Sequence, residues 1–413
     1  MEHYERTRNN VITKISGGVC AAQGFTAGAT RCGVKASSAK DDTAIIFSSA
    51  PCAAAAVYTK NRVKASPVQI TQAHLMDGTA RAIIANSGNA NACAPDGDEN
   101  ARREAAAAAK LLDLPVREVV VASTGVIGQR LNIECIEENL HNIRLSPNGS
   151  DAAENAIMTT DTKPKTAAFE FLAGGKTCRV GGICKGSGMI HPNMGTMLAF
   201  ITTDCAIAQD QLQAALKEAV RVSFNRVSVD GDTSTNDMCV VLANGLAGNR
   251  KITGQDVDWK AFYDALEGVC VSLAKQIAAD GEGASRMITC TVQGAKDEAT
   301  AETLAKSVCS SSLLKAAIFG ADANWGRVLC AMGYSGAEFN PETVTVRFRS
   351  AKGEITVCHK GRAVDFSEEQ AKEILLEDSI EILIDVRLGN GQATAWGCDL
   401  TYDYVKINGD YRT

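Results

Sequence analysis

The apolar residues in the first third of the chain occur in short continuous runs that end in turn-forming residues. Residues 81–85 and 118–122 are two such runs, and Asn, Ser, Thr or Gly follow directly after each. Continuous apolar runs of this length are typical of strands that are buried on both faces. This pattern therefore predicts a sheet covered on both sides near the N-terminus.

Helical patterns separate and follow these runs. Residues 104–112 contain five consecutive alanines and have high helix propensity, and Asp96 or Asp98 can cap this helix. A long helix is also predicted for residues 258–280, with Gly281 supplying a left-handed cap at its end.

The second half of the chain mixes helical and strand patterns. Apolar residues recur at helical spacing in residues 212–220, whereas residues 343–349 and 380–386 alternate as strands do. Residues 367–370, Ser-Glu-Glu-Gln, resemble a capping box. Because strands and helices do not alternate regularly, the sequence favours an α+β layered fold over a doubly wound one.

Composition excludes several classes of protein. The 413 residues include 42 Lys and Arg against 48 Asp and Glu, a net charge of −6, so no positive excess indicates a nucleic acid or an anionic membrane as partner. The most apolar stretch, residues 44–57, is interrupted by two serines and a proline and is shorter than the roughly 20 residues of a membrane helix. We expect a cytoplasmic protein.

Cysteine and histidine give little indication of a metal site. The 15 cysteines are scattered without a C-x-x-C pair, and the five histidines are far apart in the sequence. The sequence therefore predicts buried thiols and no metal ion.

Two motif-like segments fail the test of spacing. Residues 175–177, Gly-Lys-Thr, resemble the end of a phosphate-binding loop, but Glu170 occupies the position of its first glycine. Residues 230–237 resemble a calcium loop, but the twelfth position is Leu242 instead of Glu. We interpret residues 230–237 as a polar turn.

The Gly195-Thr196 pair offers a different chemistry. It follows a loop rich in Gly and Pro and directly precedes an apolar strand pattern. Attack of the Thr196 hydroxyl on the Gly195 carbonyl would convert the peptide into an ester, and water would then release Thr196 with a free α-amine. Such an amine has an ordinary pKa of about 7.7–8.0, so it can serve as the base for the hydroxyl of the same residue. From spacing alone, the favoured interpretation is that Thr196 only begins a strand.

Four segments together resemble the ornithine acetyltransferase family of arginine biosynthesis. They are KGSGMIHPNMGTMLAF at 185–200, ASTGVIG at 122–128, MTTD at 158–161 and CDLTYDYVKINGDYRT at 398–413. The similarity extends over essentially the whole chain.

This resemblance implies a fold and an assembly. The fold is an N-terminal-nucleophile-like αββα layered core of the aminopeptidase/esterase branch, with a smaller C-terminal α+β domain at about 290–390. The precursor cleaves itself between Gly195 and Thr196 into an α chain, 1–195, and a β chain, 196–413, which assemble as an α2β2 heterotetramer. Many members have Ala at the position of Gly195, and we expect cleavage to persist with glycine.

The resemblance also implies a reaction. Thr196 takes the acetyl group from N2-acetyl-L-ornithine and releases ornithine, and L-glutamate then removes it as N-acetylglutamate. No added cofactor is needed, although some members accept acetyl-CoA as donor. The sequence does not indicate whether this chain does so.

Site residues follow from the matching motifs. Thr124 and Gly125 match the oxyanion hole, whose donors contribute about 3–4 kcal/mol each in comparable sites. The charge of Lys185 suits a substrate carboxylate, and that of Glu282 suits the ammonium of the donor. Thr160 is an alternative to its neighbour at the matched threonine position. The residues that match substrate-binding positions are Thr159, Lys185, Thr196, Glu282, Asn408 and Thr413.

Two other functions stay open. An aminopeptidase or amidase on the same fold would let water resolve the acyl-enzyme, but such relatives generally use Ser where this chain has Thr196. A binding protein that retains only the scaffold is the other, and it conflicts with the presence of all the matched residues.

Overall fold

The structure is a computed structural model that describes residues 12–36, 38–191 and 197–410. Its strands are β1 (Thr13–Ile15), β2 (Phe25–Thr30), β3 (Thr43–Tyr58), β4 (Thr79–Asn89), β5 (Val119–Val126), β6 (Lys165–Ala173), β7 (Lys176–Lys185), β8 (Leu198–Thr203), β9 (Val227–Ser228), β10 (Met238–Ala243), β11 (Met287–Ala295), β12 (Thr345–Ser350), β13 (Gly353–His359), β14 (Arg362–Ala363), β15 (Ser379–Asp385) and β16 (Gly391–Cys398). Its α-helices are α1 (Ser66–His74), α2 (Gly97–Leu112), α3 (Ile133–Asn139), α4 (Ser150–Ile157), α5 (Gln209–Val222), α6 (Val257–Ala279), α7 (Glu298–Ser310), α8 (Ser312–Phe319), α9 (Trp325–Gly333), α10 (Glu368–Leu375) and α11 (Tyr402–Asp410).

The long strand β3 belongs to two parts of one nine-stranded sheet. Its first half pairs with β2 and β4, its second half pairs with β10, and the register shifts between Phe47 and Cys52. The first part of the sheet has the order β1-β6-β7-β8-β10-β3, and the second part contains β2, β3, β4 and β5. Residues 44–57, the most apolar stretch of the sequence, therefore form a strand.

The two parts of this sheet stack face to face. Ile46 and Ile83 of the second part share a buried cluster with Ile183, Phe200 and Val240 of the first. Because side chains alternate between the faces of a strand, the neighbouring residues point to the outer faces. The apolar runs predicted as doubly buried strands are β4 and β5.

Helices cover both outer faces. Val241 of the first part packs in one cluster with Leu216 of α5 and Leu266 of α6. Ile84 of the second part packs with α2 and α3, where Ala105 is fully buried. The layers therefore run α, β, β, α, and the predicted αββα core is confirmed.

A second sheet of seven strands lies toward the C-terminus. Its order is β14-β13-β12-β15-β11-β16-β9. Helices α7 to α10 contribute to the same buried cluster as its strands, which contains for example Val308 of α7 and Phe348 of β12. The chain is α+β, as predicted, with a smaller α+β unit in its second half. The boundaries at about 290–390 and the division into 1–195 and 196–413 stay predictions.

The predicted caps have mixed outcomes. The Ser367 hydroxyl accepts a hydrogen bond from the N–H of Gln370, as the capping box requires. Asp96 precedes α2, but its side chain does not cap the helix, because its backbone (φ −111°, ψ 16°) lies outside the extended region of an N-cap.

The prediction of a left-handed cap at Gly281 is wrong. Helix α6 ends at Ala279, its C-cap residue Asp280 has φ −109°, and the left-handed residue is Gly283 with φ 68°. Gly281 meets a different requirement, since a Cβ there would lie 2.7 Å from Cys398 Sγ. Close packing therefore excludes a side chain at this position.

Most of the cysteines are buried, and all 15 are free thiols. This arrangement agrees with the prediction of small apolar core residues. Across residues 12–36, 38–191 and 197–410, no helix is both long and apolar enough to cross a bilayer.

Candidate functional site

A cavity of about 320 Å³ lies where strands of both parts of the first sheet end or begin. Lys185, the last residue of β7, pairs with Leu198, the first residue of β8, and Met238 of β10 pairs with Leu198 from the other side. β5 brings its C-terminal end from the second part of the sheet. The predicted site residues that line the cavity are Thr124, Gly125, Thr159, Lys185, Glu282 and Asn408.

Three predicted residues fall outside the described part of the chain. They are Gly195, Thr196 and Thr413. Met197 and Leu198, which directly follow Thr196 in the sequence, line the cavity. Thr160, the alternative to Thr159, lines it as well.

The ammonium of Lys185 connects the two predicted threonines. Its Nζ donates to Thr159 Oγ1 at 2.7 Å and to Thr124 Oγ1 at 3.3 Å, and it lies 3.8 Å from Asp161 Oδ2. Because a protonated lysine can only donate, each threonine oxygen acts as acceptor toward it. The hydroxyl hydrogen of Thr124 therefore remains available for a group in the cavity.

Gly125 has a conformation and a neighbour that both demand glycine. Its φ is 133°, and a Cβ would lie 2.5 Å from Asn89 N and would also overlap the backbone of Gly88. The register of β4 and β5 shifts at this point. The backbone of Gly125 is thus held rigidly at the wall of the cavity.

Glu282 provides the negative charge of the cavity. Asn408 Nδ2, on α11, donates to Glu282 Oε2 at 2.8 Å, and the Glu282 N–H donates to Ser187 O at 3.0 Å. Lys185 and Glu282 thus place a cation and an anion on the walls of one cavity. That arrangement complements a small molecule with both a carboxylate and an ammonium group.

The sequence analysis missed a part of the wall. Thr235, Asn236 and Asp237 line the cavity, although residues 230–237 were interpreted only as a turn. Asn236 Nδ2 donates to Ala90 O at 2.6 Å and to Ser123 O at 2.8 Å, which fixes the backbone next to Thr124. Their position directly before an apolar strand is the feature that could have indicated them.

Asp237 is the last of these three residues. Its side chain is buried, and within the described part of the chain its Oδ2 has no hydrogen-bond partner. Burial raises the pKa of this carboxyl well above its ordinary value, which favours its neutral form. The described residues contain no group of three His, Cys, Asp or Glu side chains arranged to hold a metal ion.

Comparisons with known proteins show the family of this chain. The model of the ArgJ family matches residues 26–413. The arginine biosynthesis bifunctional protein ArgJ of Symbiobacterium thermophilum is 49% identical over 403 residues, 97% of this chain and 99% of that protein. The Bacillus subtilis protein of the same name is 46% identical over 404 residues, 97% of this chain and 98% of that protein. A crystal structure of ornithine acetyltransferase complexed with ornithine from Mycobacterium tuberculosis is 37% identical, covers 45% of this chain and 100% of its own, and has a TM-score of 0.41. The chain belongs to the ArgJ family.

Proposed function

We propose that this chain is an enzyme of arginine biosynthesis that transfers an acetyl group from N2-acetyl-L-ornithine to L-glutamate. Membership of the ArgJ family supports this function, because relatives nearly 50% identical are named arginine biosynthesis bifunctional proteins. One observation carries it furthest: residues from five separate segments, 124–125, 159, 185, 282 and 408, meet at one cavity beside the start of β8.

The nucleophile is Thr196, and self-cleavage after Gly195 provides its α-amine. Met197 and Leu198 line the cavity, and Thr196 precedes them in the chain. The α-amine takes the proton of the hydroxyl as Oγ attacks the acetyl carbonyl. The same proton then passes to the amine of ornithine as it leaves. Acetyl-Thr196 is the product of this first half-reaction.

The oxyanion that forms in this step accepts two hydrogen bonds. Gly125 offers its backbone N–H, and Thr124 offers a hydroxyl hydrogen, since Lys185 already donates to the oxygen of that hydroxyl. Donors fixed before the reaction stabilise the transition state without reorganisation. The amine of L-glutamate then attacks acetyl-Thr196 through a second oxyanion in the same place, and N-acetylglutamate leaves.

The charges of the cavity select amino acids. Lys185 binds the substrate carboxylate with Thr159 beside it, and Glu282, oriented by Asn408, binds the ammonium of the donor side chain. Thr413 completes the binding set. Both substrates carry an α-carboxylate, so one lysine serves both half-reactions.

Several finer points belong to the same proposal. The cleaved chains 1–195 and 196–413 assemble as an α2β2 heterotetramer in the cytoplasm. The reaction needs no added cofactor, and acetyl-CoA is a second donor to be tested.

Purified protein tests the proposal directly. A denaturing gel with N-terminal sequencing is expected to give two chains, the second beginning at Thr196, whereas the Thr196→Ala variant gives one chain near 43.5 kDa. Incubation with N2-acetylornithine and glutamate is expected to yield N-acetylglutamate and ornithine in equal amounts. An uncleaved and active wild type would refute the mechanism, and free acetate without N-acetylglutamate would identify a hydrolase.

The same preparation tests the finer points. Replacing N2-acetylornithine by acetyl-CoA shows whether the second donor is used. Light scattering after gel filtration measures the mass of the assembly, which is expected to be twice that of one precursor.

A further inference from the structure

A buried ion network lies behind the wall of the cavity. Lys165, the first residue of β6, is fully buried, and its Nζ donates to Asp161 Oδ1 at 2.7 Å and to Asp280 Oδ2 at 2.6 Å. With Lys185, these side chains comprise two cations and two anions. A buried group of this kind is stable only when its charges balance and its hydrogen bonds are satisfied.

Asp161 is shared unequally between two lysines. Its Oδ1 accepts from Lys165 and, at 2.7 Å, from the N–H of Gly186, and its Oδ2 accepts from the N–H of Thr159 at 3.1 Å. Lys185 Nζ lies farther away, at 3.8 Å. Burial would raise the pKa of Asp161, but Lys185 and Lys165 outweigh it and hold the pKa well below its ordinary value. Asp161 is therefore an anion that interacts with both lysines and accepts its direct hydrogen bond from Lys165.

Asp280 connects this network to the segment that carries Glu282. Its carboxylate accepts from the N–H of Thr162 at 3.0 Å, and its backbone carbonyl accepts from Ser187 Oγ at 2.7 Å. Three segments that carry cavity residues are thereby held together around Lys165.

We propose that Lys165 is a positioning residue that retains Asp161 and so leaves the ammonium of Lys185 available for the substrate carboxylate. This inference rests on the proposed function, in which Lys185 binds that carboxylate. Without the competing cation, the ion pair of Asp161 with Lys185, now 3.8 Å long, would close to a direct hydrogen bond. A substrate carboxylate would then compete with a buried anion for the same lysine.

A charge-balanced double variant tests this inference. Lys165→Met together with Asp280→Asn removes one cation and one anion, so Asp161 and Lys185 remain as a neutral pair. Compared with Asp280→Asn alone, the double variant is expected to raise the KM of N2-acetylornithine and of glutamate by about tenfold to a hundredfold, the effect of one charge-assisted hydrogen bond. Its kcat at saturation is expected to stay within about threefold, since the oxyanion donors are intact.

A substrate without the carboxylate distinguishes positioning from general damage. N-acetylputrescine is N2-acetylornithine that lacks this group. The wild type is expected to prefer N2-acetylornithine strongly, and the double variant is expected to lose most of this preference. Lys165→Arg, which retains the cation, is expected to restore it, whereas Lys163→Met, at an exposed lysine of the same segment, is the matched control.

The outcomes separate this inference from the proposed function. A wild type that forms no N-acetylglutamate refutes the function, and calorimetric titration with glutamate then still tests whether the double variant weakens binding. An unchanged KM, or a lower kcat with an unchanged KM, overturns the inference. If the double variant does not fold, Lys165→Gln, which is uncharged but retains a hydrogen-bond donor, must raise the KM in the same direction.

Discussion

Gly188 packs directly against the carboxylate of Glu282, so that a Cβ at residue 188 would overlap all three atoms of that group. The fold does not require left-handed backbone at this residue, which is absent from the positions with positive φ. Glycine is instead required at position 188 of the 185–200 motif because the Glu282 carboxylate occupies the space of a side chain there. Because this carboxylate is the end of a flexible side chain, an added methyl group would displace Glu282 and leave the backbone in place.

Gly188→Ala is therefore expected to impair binding of the donor more than stability. The KM of N2-acetylornithine should rise roughly tenfold, because its ammonium loses a charge-assisted hydrogen bond. The melting temperature should change little. Steady-state kinetics and thermal unfolding measure the two effects. Gly254→Ala is the matched control, since a Cβ at residue 254 meets no atom within 4 Å. A normal KM in Gly188→Ala would mean that Glu282 does not contact the donor.

Thr124→Val removes a hydroxyl while it preserves the shape of the side chain. If this hydroxyl donates to the oxyanion, kcat should fall by roughly 10²–10³-fold, with little change in KM. Thr124→Ser is the control that retains the hydroxyl and should keep most of the activity. Rates of acetyl transfer at saturating substrate measure the difference between the two variants. Equal rates would exclude Thr124 from the oxyanion hole.

Local features of the fold were predictable because they depend on short stretches of sequence. The strands near residues 81–85 and 118–122 and the capping box at Ser367 follow from periodicity and local hydrogen bonding. Gly281 shows the limit, since its neighbour Cys398 is more than a hundred residues away in sequence. Spacing cannot reveal a requirement that arises from such long-range packing.

The site was predictable in part, through motifs. Thr124, Lys185 and Glu282 were found by resemblance, and only the stacked sheet explains why they meet at one cavity. Asn236 and Lys165 were missed, because their role depends on partners in other segments. The strand pattern around Lys165 gives no indication of the two carboxylates, Asp161 and Asp280, that lie beside its ammonium group in the structure.

Asn236→Asp tests the part of the wall that the sequence did not indicate. The amide donates to the carbonyls of Ala90 and Ser123, and a carboxylate would place negative charge against both. The free energy of unfolding is expected to fall by about 1–3 kcal/mol for the lost hydrogen bonds. The kcat should fall as well, because Ser123 precedes Thr124. Denaturant unfolding and initial rates measure the two effects.

Asn148→Asp makes the same chemical change at an exposed asparagine. It is expected to alter stability by about 0.5 kcal/mol or less. If both variants were equally stable, the two hydrogen bonds of Asn236 would not support this wall of the cavity.

The buried carboxyl group of Glu104 is expected to make the stability of the protein depend on pH. It lies on α2, is fully buried, and neither carboxylate oxygen has a hydrogen-bond partner in the described part of the chain. Burial raises its pKa well above the ordinary value of 4.5, so the folded state retains a proton that the unfolded state releases above that pH. Since the folded state then binds more protons, its stability must fall as the pH rises above about 4.5.

Glu104→Met removes both the unpartnered oxygens and the titration. It is expected to stabilise the protein by about 1–3 kcal/mol at pH 7.5 and by less at pH 4.5, where the unfolded wild-type side chain still retains about half of its protons. Thermal unfolding at the two pH values measures the difference. Glu99→Met, at an exposed residue of the same helix, is the matched control. An equal gain at both pH values would mean that Glu104 is ionised in the folded state, because a group with an unshifted pKa contributes no slope.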